Sequence, residues 1–153
     1  MKPIKAYVYL EEPEEFCSKL TVAGTFVRCA GKILMLKRHP SRPQGLSWGI
    51  PAGKMDGNET SKEVAIRELY EETGLLVSAD ELSEVVRFYV KHPEYDFIFD
   101  AFAIESDKLP ELVLGEEEHL EARWVTPEEA MQLPLIAGGH EVVEYYVHWY
   151  AGR

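Results

Sequence analysis

The stretch GKMDGNETSKEVAIRELYEETGL, residues 53–75, carries the clearest structural signal in the chain. Good helix formers dominate residues 59–73, which contain neither Pro nor Gly, and Gly74 then supplies the left-handed residue that commonly ends a helix. The stretch therefore predicts a glycine-containing loop followed by a helix. The apolar stripe of that helix, which predicts its buried side, consists of Val64, Ala65, Ile66 and Leu69.

Three glutamates share one face of the predicted helix. Glu68, Glu71 and Glu72 are related as i, i+3 and i+4, so their carboxylates project within about one turn of each other. Like charges at this spacing destabilise a helix by roughly 0.2 to 0.5 kcal/mol per pair unless a cation lies between them. Carboxylate oxygens suit Mg²⁺, with Mn²⁺ as a substitute. The spacing fits a metal site, although a solvated glutamate face would have the same spacing.

Other residues of the stretch are suited to support this acidic face. Arg67 cannot ligate a cation, but its planar guanidinium can hold carboxylates in a bidentate manner, and Glu59 upstream is a candidate partner. Gly53 allows a tight turn that would bring its backbone carbonyl close to a metal. The loop and the helix are therefore expected to act as one unit.

The complete pattern resembles the Nudix box, G-x5-E-x7-R-E-U-x-E-E-x-G-U, where U is an aliphatic residue. The box spans 23 of the 153 residues, and this sequence matches each of its fixed positions. The segments Trp48-Gly49-Ile50-Pro51-Ala52 before the box and Ala122-Arg123-Trp124-Val125 after it are also similar to typical family members. By this resemblance the chain is identified as a member of the Nudix family.

The resemblance implies an α+β fold, namely an α/β/α sandwich with a mixed β-sheet and a loop-helix-loop catalytic motif. The hydrophobic pattern independently predicts an α+β arrangement, with strands near residues 4–10, 20–29, 33–38, 82–91, 95–104 and 121–125. Further helices are predicted from residue 127 and over residues 140–150. We expect one domain over residues 1–153, with residues 1–17 as a candidate N-terminal extension.

The resemblance also implies the chemistry and the residues that perform it. The expected reaction is Mg²⁺-dependent hydrolysis of a diphosphate linkage in a nucleoside diphosphate derivative. Carried onto this chain, the metal ligands would be Glu68, Glu71, Glu72 and the carbonyl of Gly53. Glu59 and Arg67 would orient them, while Glu71 and Glu72 would also count as catalytic.

Family members often add one acidic residue from a distant loop, either as a ligand or as the base that activates water. The run Gly115-Glu116-Glu117-Glu118-His119-Leu120-Glu121 is the natural source in this chain. We favour Glu118 as the third catalytic carboxylate, followed by Glu117.

The substrate contacts are predicted from residue type and position alone. Arg38, near the end of a strand, and Lys54, beside the box glycine, are candidate phosphate partners. Trp48 or Tyr95 could stack on a base or ribose. The sequence leaves nucleoside triphosphates, oxidised nucleotides, ADP-ribose and nucleotide sugars open as substrates.

The composition limits partners and location. Asp and Glu number 27 against 16 Lys and Arg, and the resulting net charge of -11 disfavours binding to an extended nucleic acid. The chain shows neither a leader pattern nor an apolar run of membrane-spanning length, so we expect a cytoplasmic protein. Cys17 and Cys29 are predicted to be buried free thiols. A homodimer is an open expectation from the family.

Two other functions are compatible with the resemblance. Some Nudix domains bind or sense nucleotides without catalysis, but such domains usually lack box glutamates, and this box is intact. Isoprenoid diphosphate isomerases use the same fold and need a suitably placed cysteine. Cys17 and Cys29 both precede the box without a recognisable active-site context, so hydrolysis is the favoured function.

Overall fold

The computed structural model describes residues 5–153, so the first residue of the strand predicted over 4–10 lies outside the described residues. Within these residues, eight strands and three α-helices follow one another, and a short 3-10 helix, Ala79–Glu81, precedes the sixth strand. In order they are β1 Tyr7–Tyr9, β2 Ser18–Cys29, β3 Lys32–Arg38, β4 Trp48–Gly49, β5 Ala52–Lys54, α1 Ser61–Thr73, β6 Ser83–Lys91, β7 Asp96–Glu105, β8 His119–Val125, α2 Pro127–Ala130 and α3 Gly139–Ala151.

The strands form one mixed sheet in the order β1-β6-β7-β2-β3-β4, with β5 added to β2 and β8 added to β3. The strands predicted over residues 20–29 and 33–38 pair as the antiparallel hairpin β2–β3, and those predicted over 82–91 and 95–104 pair as the hairpin β6–β7. The turn between β2 and β3 consists of Ala30 and Gly31, both with positive φ, as a two-residue hairpin turn requires. The two hairpins are joined by a parallel pairing of β2 with β7.

Helices cover both faces of this sheet. Along β2, Phe26 belongs to a core cluster that includes Val143 and Tyr146 of α3, whereas the next residue, Val27, packs in a cluster with Leu69 of α1. Because successive side chains of a strand point to opposite faces, α1 and α3 lie on opposite sides of the sheet. The predicted α+β sandwich with a mixed sheet is therefore confirmed.

The local signals of α1 correspond to its observed ends. The Thr60 hydroxyl accepts a hydrogen bond from the backbone N–H of Glu63, and the Glu63 carboxylate accepts one from the backbone N–H of Thr60, which forms a capping box. Gly74 ends the helix with a φ of 79° and donates its N–H to the carbonyl of Tyr70. Val64, Ala65 and Leu69 are buried as the apolar stripe predicts, and Ile66 is half-buried.

One prediction about the cysteines is wrong. Cys29 is a buried free thiol, but Cys17 is exposed, because it precedes β2 at the end of the polar segment rather than inside the apolar strand. None of the helices in residues 5–153 combines the length and the apolar character that a membrane crossing needs.

Candidate active site

The entrance to α1 is built around a close approach between Gly53 and Glu68. Gly53 lies in β5, which pairs with β2 and so brings the loop before α1 against the sheet. A Cβ atom at residue 53 would overlap the carboxylate of Glu68. Only glycine leaves room for this carboxylate beside the strand.

Arg67 links the loop to the glutamates of the helix. Its Nε and Nη2 donate to the two carboxylate oxygens of Glu59 at 2.7 and 2.8 Å, and its Nη2 also donates to the carbonyl of Lys54 at 3.1 Å. Its Nη1 donates to Glu68 at 2.9 Å and, more weakly, to Glu71 at 3.3 Å. The bidentate bond to Glu59 raises the pKa of Arg67, and the same bond lowers the pKa of Glu59.

The three box glutamates lie at different depths. The side chain of Glu71 is about half exposed, that of Glu68 is mostly covered, and Glu72 is only 5% exposed. Burial raises the pKa of Glu68, against the lowering effect of Arg67. Burial also raises the pKa of Glu72 well above its usual range, and the nearby carboxylate of Glu68 adds to this effect.

Glu72 receives little compensation from the chain. One of its carboxylate oxygens accepts a hydrogen bond from the backbone N–H of Ala52 at 2.9 Å, and this bond is its single side-chain hydrogen bond within the described residues. A buried carboxylate without a cationic partner is costly to ionise. The site therefore favours the arrival of a positive charge from outside the chain.

The segment before β8 brings two further residues to Glu72. The backbone N–H groups of Val113 and Gly115 donate to the carbonyls of Thr73 and Glu72 at 2.8 and 3.3 Å, which fixes this segment to the end of α1. These bonds use carbonyls that a helix end leaves unpaired. Glu118 and His119 follow directly, so they approach the buried carboxylate from a part of the chain far from the box.

Glu72, Glu118 and His119 form a compact group of candidate ligands. Each offers one ligand atom, and these atoms all lie within 4.8 Å of one another. Glu118 is half exposed and pairs with Arg42 at 3.2 Å, whereas His119 is 6% exposed and its Nδ1 has no hydrogen-bond partner among residues 5–153. Burial lowers the pKa of His119, which favours the neutral imidazole that binds metals.

The donor set fits a divalent cation. Carboxylate oxygens suit ions such as Mg²⁺ and Mn²⁺, and a neutral imidazole nitrogen is a further donor that suits transition metals. A hollow of about 200 Å³ adjoins this group. Its walls are formed by Glu71, Glu72, Gly115, Glu116, Glu117 and Glu118.

The structure thus regroups the residues that the sequence indicated. Glu72 and Glu118 come together, while Glu68 and Glu71 contact Arg67. Sequence reasoning missed His119, since its only signal was a position next to an acidic run at the start of a strand.

A second cavity, of about 260 Å³, adjoins the site. Its lining includes His119, together with Ala52 and Gly53, which lie beside Glu72 and Glu68; the group of Glu72, Glu118 and His119 is called the acidic site below. Aromatic side chains such as Phe97 and Phe99 give the cavity apolar walls. A pocket of this kind, mostly apolar with a few polar groups, is typical of small-molecule sites. The residues predicted to contact substrate, which are Arg38, Trp48, Lys54 and Tyr95, all line it.

The four predicted contact residues differ in how much of each side chain is available to contact a substrate. The Nε of Arg38 donates to the carbonyl of Pro43 at 2.8 Å, so one donor of its guanidinium is already used. Trp48 is 3% exposed, and the guanidinium of Arg123 lies 4.8 Å from its ring centroid. Trp48 therefore forms part of the wall, and stacking on a ligand would require access to a covered ring.

Comparison with known proteins agrees with this geometry. The family model described as NUDIX domain matches residues 18–146. The chain is 26% identical to a CTP pyrophosphohydrolase of Escherichia coli (strain K12) over 136 residues, which are 88% of this chain and 96% of that protein. It is 35% identical to an ADP-ribose pyrophosphatase of Bacillus subtilis (strain 168) over 114 residues, 73% of this chain and 60% of that protein.

A solved structure shows the same fold. The crystal structure of RenU, a Nudix hydrolase from M. smegmatis, aligns with a TM-score of 0.72 at 23% identity and covers 90% of this chain and 89% of that chain. The family model covers most of the sequence, including the complete box and the His119 segment. The chain therefore belongs to the Nudix family, and the predicted enzyme class, a Nudix-type pyrophosphohydrolase, is confirmed.

Proposed function

We propose that this protein hydrolyses the diphosphate linkage of a small nucleoside diphosphate derivative in a reaction that depends on Mg²⁺, with Mn²⁺ as a substitute. The observation that carries the proposal is the buried carboxylate of Glu72, which lies beside Glu118 and His119 and forms no ion pair with any of residues 5–153. Such a group is stabilised when a divalent ion binds. The adjoining cavity offers apolar walls to a base and basic side chains to phosphates.

Each residue of the site has a part in this proposal. Glu72 and Glu118 would hold the cation, with Glu68, Glu71 and the carbonyl of Gly53 as further donors. When bound, a divalent ion neutralises phosphate oxygens and acidifies an attacking water. Arg67 would keep Glu68 and Glu71 oriented through its bonds to both.

The proton and the leaving group are assigned as follows. The oxygen of a water molecule attacks one phosphorus, the bond between that phosphorus and the bridging oxygen breaks, and the water gives up one proton. We propose that Glu118, half exposed and beside the acidic hollow, would accept this proton on the carboxylate oxygen that does not hold the cation. Hydrolysis would release two phosphate products, one of them a nucleoside phosphate, while Arg38 and Lys54 neutralise the substrate phosphates.

The names of the relatives guide the choice of substrates to test. Purified protein with and without Mg²⁺ should be screened against nucleoside triphosphates including CTP, oxidised nucleotides, ADP-ribose and nucleotide sugars. We expect magnesium-dependent cleavage at the diphosphate in at least one of these classes. Binding of a nucleotide without hydrolysis at any divalent ion would instead support a sensor domain and contradict the proposal.

Two isosteric variants make the test specific. Glu72→Gln keeps the shape of the side chain and removes its charge, so we expect turnover to fall by about a thousandfold, equivalent to about 4 kcal/mol of transition-state stabilisation. Glu84→Gln, which changes an exposed glutamate of β6, is the matched control and should leave turnover unchanged. Equal turnover in the wild type and in Glu72→Gln would overturn the proposal.

The remaining predictions extend beyond the site. We propose a cytoplasmic protein of one domain over residues 1–153 that acts on a small nucleotide-like diphosphate rather than on extended nucleic acid. The acidic net charge of -11 supports the second point. A homodimer stays a prediction that sedimentation would test.

A further inference from the structure

The imidazole of His119 is a buried polar group that the chain leaves without a partner. It is 6% exposed, and its Nδ1 makes no hydrogen bond to any of residues 5–153. An unsatisfied buried polar group destabilises the folded state, and native structures rarely leave one without a reason. The Nδ1 atom therefore requires a partner other than the described residues 5–153.

The surroundings of this ring indicate what the partner is. A ring nitrogen of His119 and one oxygen each from Glu72 and Glu118 lie within 4.8 Å of one another. Atoms that ligate one ion at about 2.1 Å lie about 3 to 4.2 Å apart, so small rotations of the side chains would close the set. Two carboxylates at this distance would repel a nitrogen lone pair, whereas a cation between them attracts all three.

The backbone fixes this arrangement from two directions. His119 begins β8 and pairs with Arg38 of β3, while its N–H donates to the carbonyl of Gly115 at 3.1 Å. Gly115 in turn donates its N–H to the carbonyl of Glu72. The imidazole and the carboxylate of Glu72 are thus positioned by the same short segment, as expected for two ligands of one ion.

We propose that His119 is a nitrogen ligand of the cation held by Glu72 and Glu118, and that it makes the site prefer Mn²⁺ over Mg²⁺. This inference rests on the proposed function, since it concerns the same metal site. Imidazole suits transition metals, whereas Mg²⁺ is best matched by oxygen donors alone. A site with one imidazole should therefore bind Mn²⁺ about tenfold more tightly than Mg²⁺ or better.

The direct test is pulsed electron paramagnetic resonance of the full chain with one equivalent of Mn²⁺. A coordinated imidazole nitrogen produces echo modulation from ¹⁴N, and histidine labelled with ¹⁵N in the ring must change that modulation. We expect the ¹⁴N modulation in unlabelled protein and its replacement by the ¹⁵N pattern in labelled protein. If Mn²⁺ binds but the spectrum is the same with and without the ¹⁵N label, the inference is overturned and the proposed function still stands.

Variants assign the nitrogen to one residue. His119→Asn should lose the imidazole modulation and should bring the Mn²⁺ and Mg²⁺ dissociation constants, measured by titration calorimetry, to within about threefold of each other. His148→Asn, at an exposed position of α3, is the matched control and should keep both properties. Retention of the modulation in His119→Asn would overturn the inference. If that variant does not fold, His119→Gln is the second variant, and absence of the ¹⁴N modulation in the wild type would still overturn the inference.

A different result identifies a failure of the proposed function itself. Two results in calorimetry would rule out the proposed metal site altogether. One is that the wild type binds neither Mn²⁺ nor Mg²⁺, and the other is that Glu72→Gln binds both ions as tightly as the wild type does. The inference about His119 would then fall with it. Metal binding that requires Glu72 but ignores His119 would contradict the inference alone.

Discussion

Two buried acids lie near opposite ends of α1 and are treated in opposite ways. Asp100 of β7 is 8% exposed and contacts the first residue of the helix, whereas Glu72 is 5% exposed and lies near its last residue. Asp100 accepts two hydrogen bonds from Arg87, at 2.8 and 2.9 Å, and another from the Ser61 hydroxyl. Glu72 accepts one bond from a backbone N–H and has another carboxylate, Glu68, close by.

The difference separates a structural acid from a functional one. Arg87 of β6 neutralises Asp100 through a bidentate pair within the sheet, and the Ser61 hydroxyl, which donates to the same carboxylate, connects the start of α1 to the sheet. At Glu72 the chain leaves the charge uncompensated and places Glu118 and His119 nearby. Burial alone therefore does not distinguish the two roles, but the charge of the surroundings does.

The largest effect on stability is expected at the structural acid. Asp100→Asn removes the charge that holds Arg87, and since Arg87 is half exposed we expect a loss of about 2 kcal/mol in the free energy of unfolding. Urea denaturation at pH 7 measures it. Mn²⁺ affinity should stay within about twofold of the wild type, because Asp100 is outside the acidic site. If the variant is as stable as the wild type, Asp100 is not the structural acid that we assign here.

Glu72→Gln should have the opposite sign in metal-free protein. Because folding raises the pKa of Glu72, the folded chain keeps this proton to a higher pH than the unfolded chain does. The metal-free wild type should therefore lose stability as pH rises from the usual carboxyl pKa of about 4.5 toward the raised one. We expect Glu72→Gln to be more stable by about 1 kcal/mol at pH 7 and to show a smaller decline with pH, since Glu68 remains.

Thermal unfolding in chelator across a pH series measures this effect. Addition of Mn²⁺ should raise the unfolding temperature of the wild type and leave that of Glu72→Gln nearly unchanged. Greater stability of the wild type than of Glu72→Gln at pH 7 without metal would contradict the assignment of Glu72 as an uncompensated charge.

The smallest change in stability is expected at Arg67, which pairs with carboxylates of the loop and of α1. Arg67→Lys keeps the positive charge but loses the bidentate bond to Glu59, so we expect a loss of about 0.5 kcal/mol, since the side chain is partly exposed. Its effect on the site should be larger, with Mn²⁺ affinity about tenfold weaker, because Glu68 and Glu71 lose their orientation. Calorimetry measures the affinity, and an unchanged dissociation constant would show that Arg67 serves the fold alone.

Predictions that depend on short-range chemistry agreed with the structure. The helix over the box and its Gly74 cap follow from neighbouring residues and were found where the sequence predicts them. The different depths of Glu71 and Glu72 did not follow from their spacing, because depth depends on β5 packing across one side of the helix. The i, i+3, i+4 pattern fixes a shared face but does not fix which member is covered.

Long-range placement explains the other differences. His119 gains its role only because residues 113–115 bond to the end of α1, a contact that no local pattern indicates. The exposure of Cys17 likewise depends on where β2 begins, one residue later. Glu118 was predicted from the family resemblance, and the structure brings it to Glu72.

The parallel pairing of β2 with β7 has a consequence for the order of assembly. It joins Ser18 to Asp96, about 80 residues later, and the whole box lies inside the loop that this pairing closes. During synthesis all the glutamates of α1 therefore leave the ribosome before β7, the strand that pairs with β2. Glu118 and His119 follow later still. Metal capture should come late in biosynthesis, once the central strands have paired.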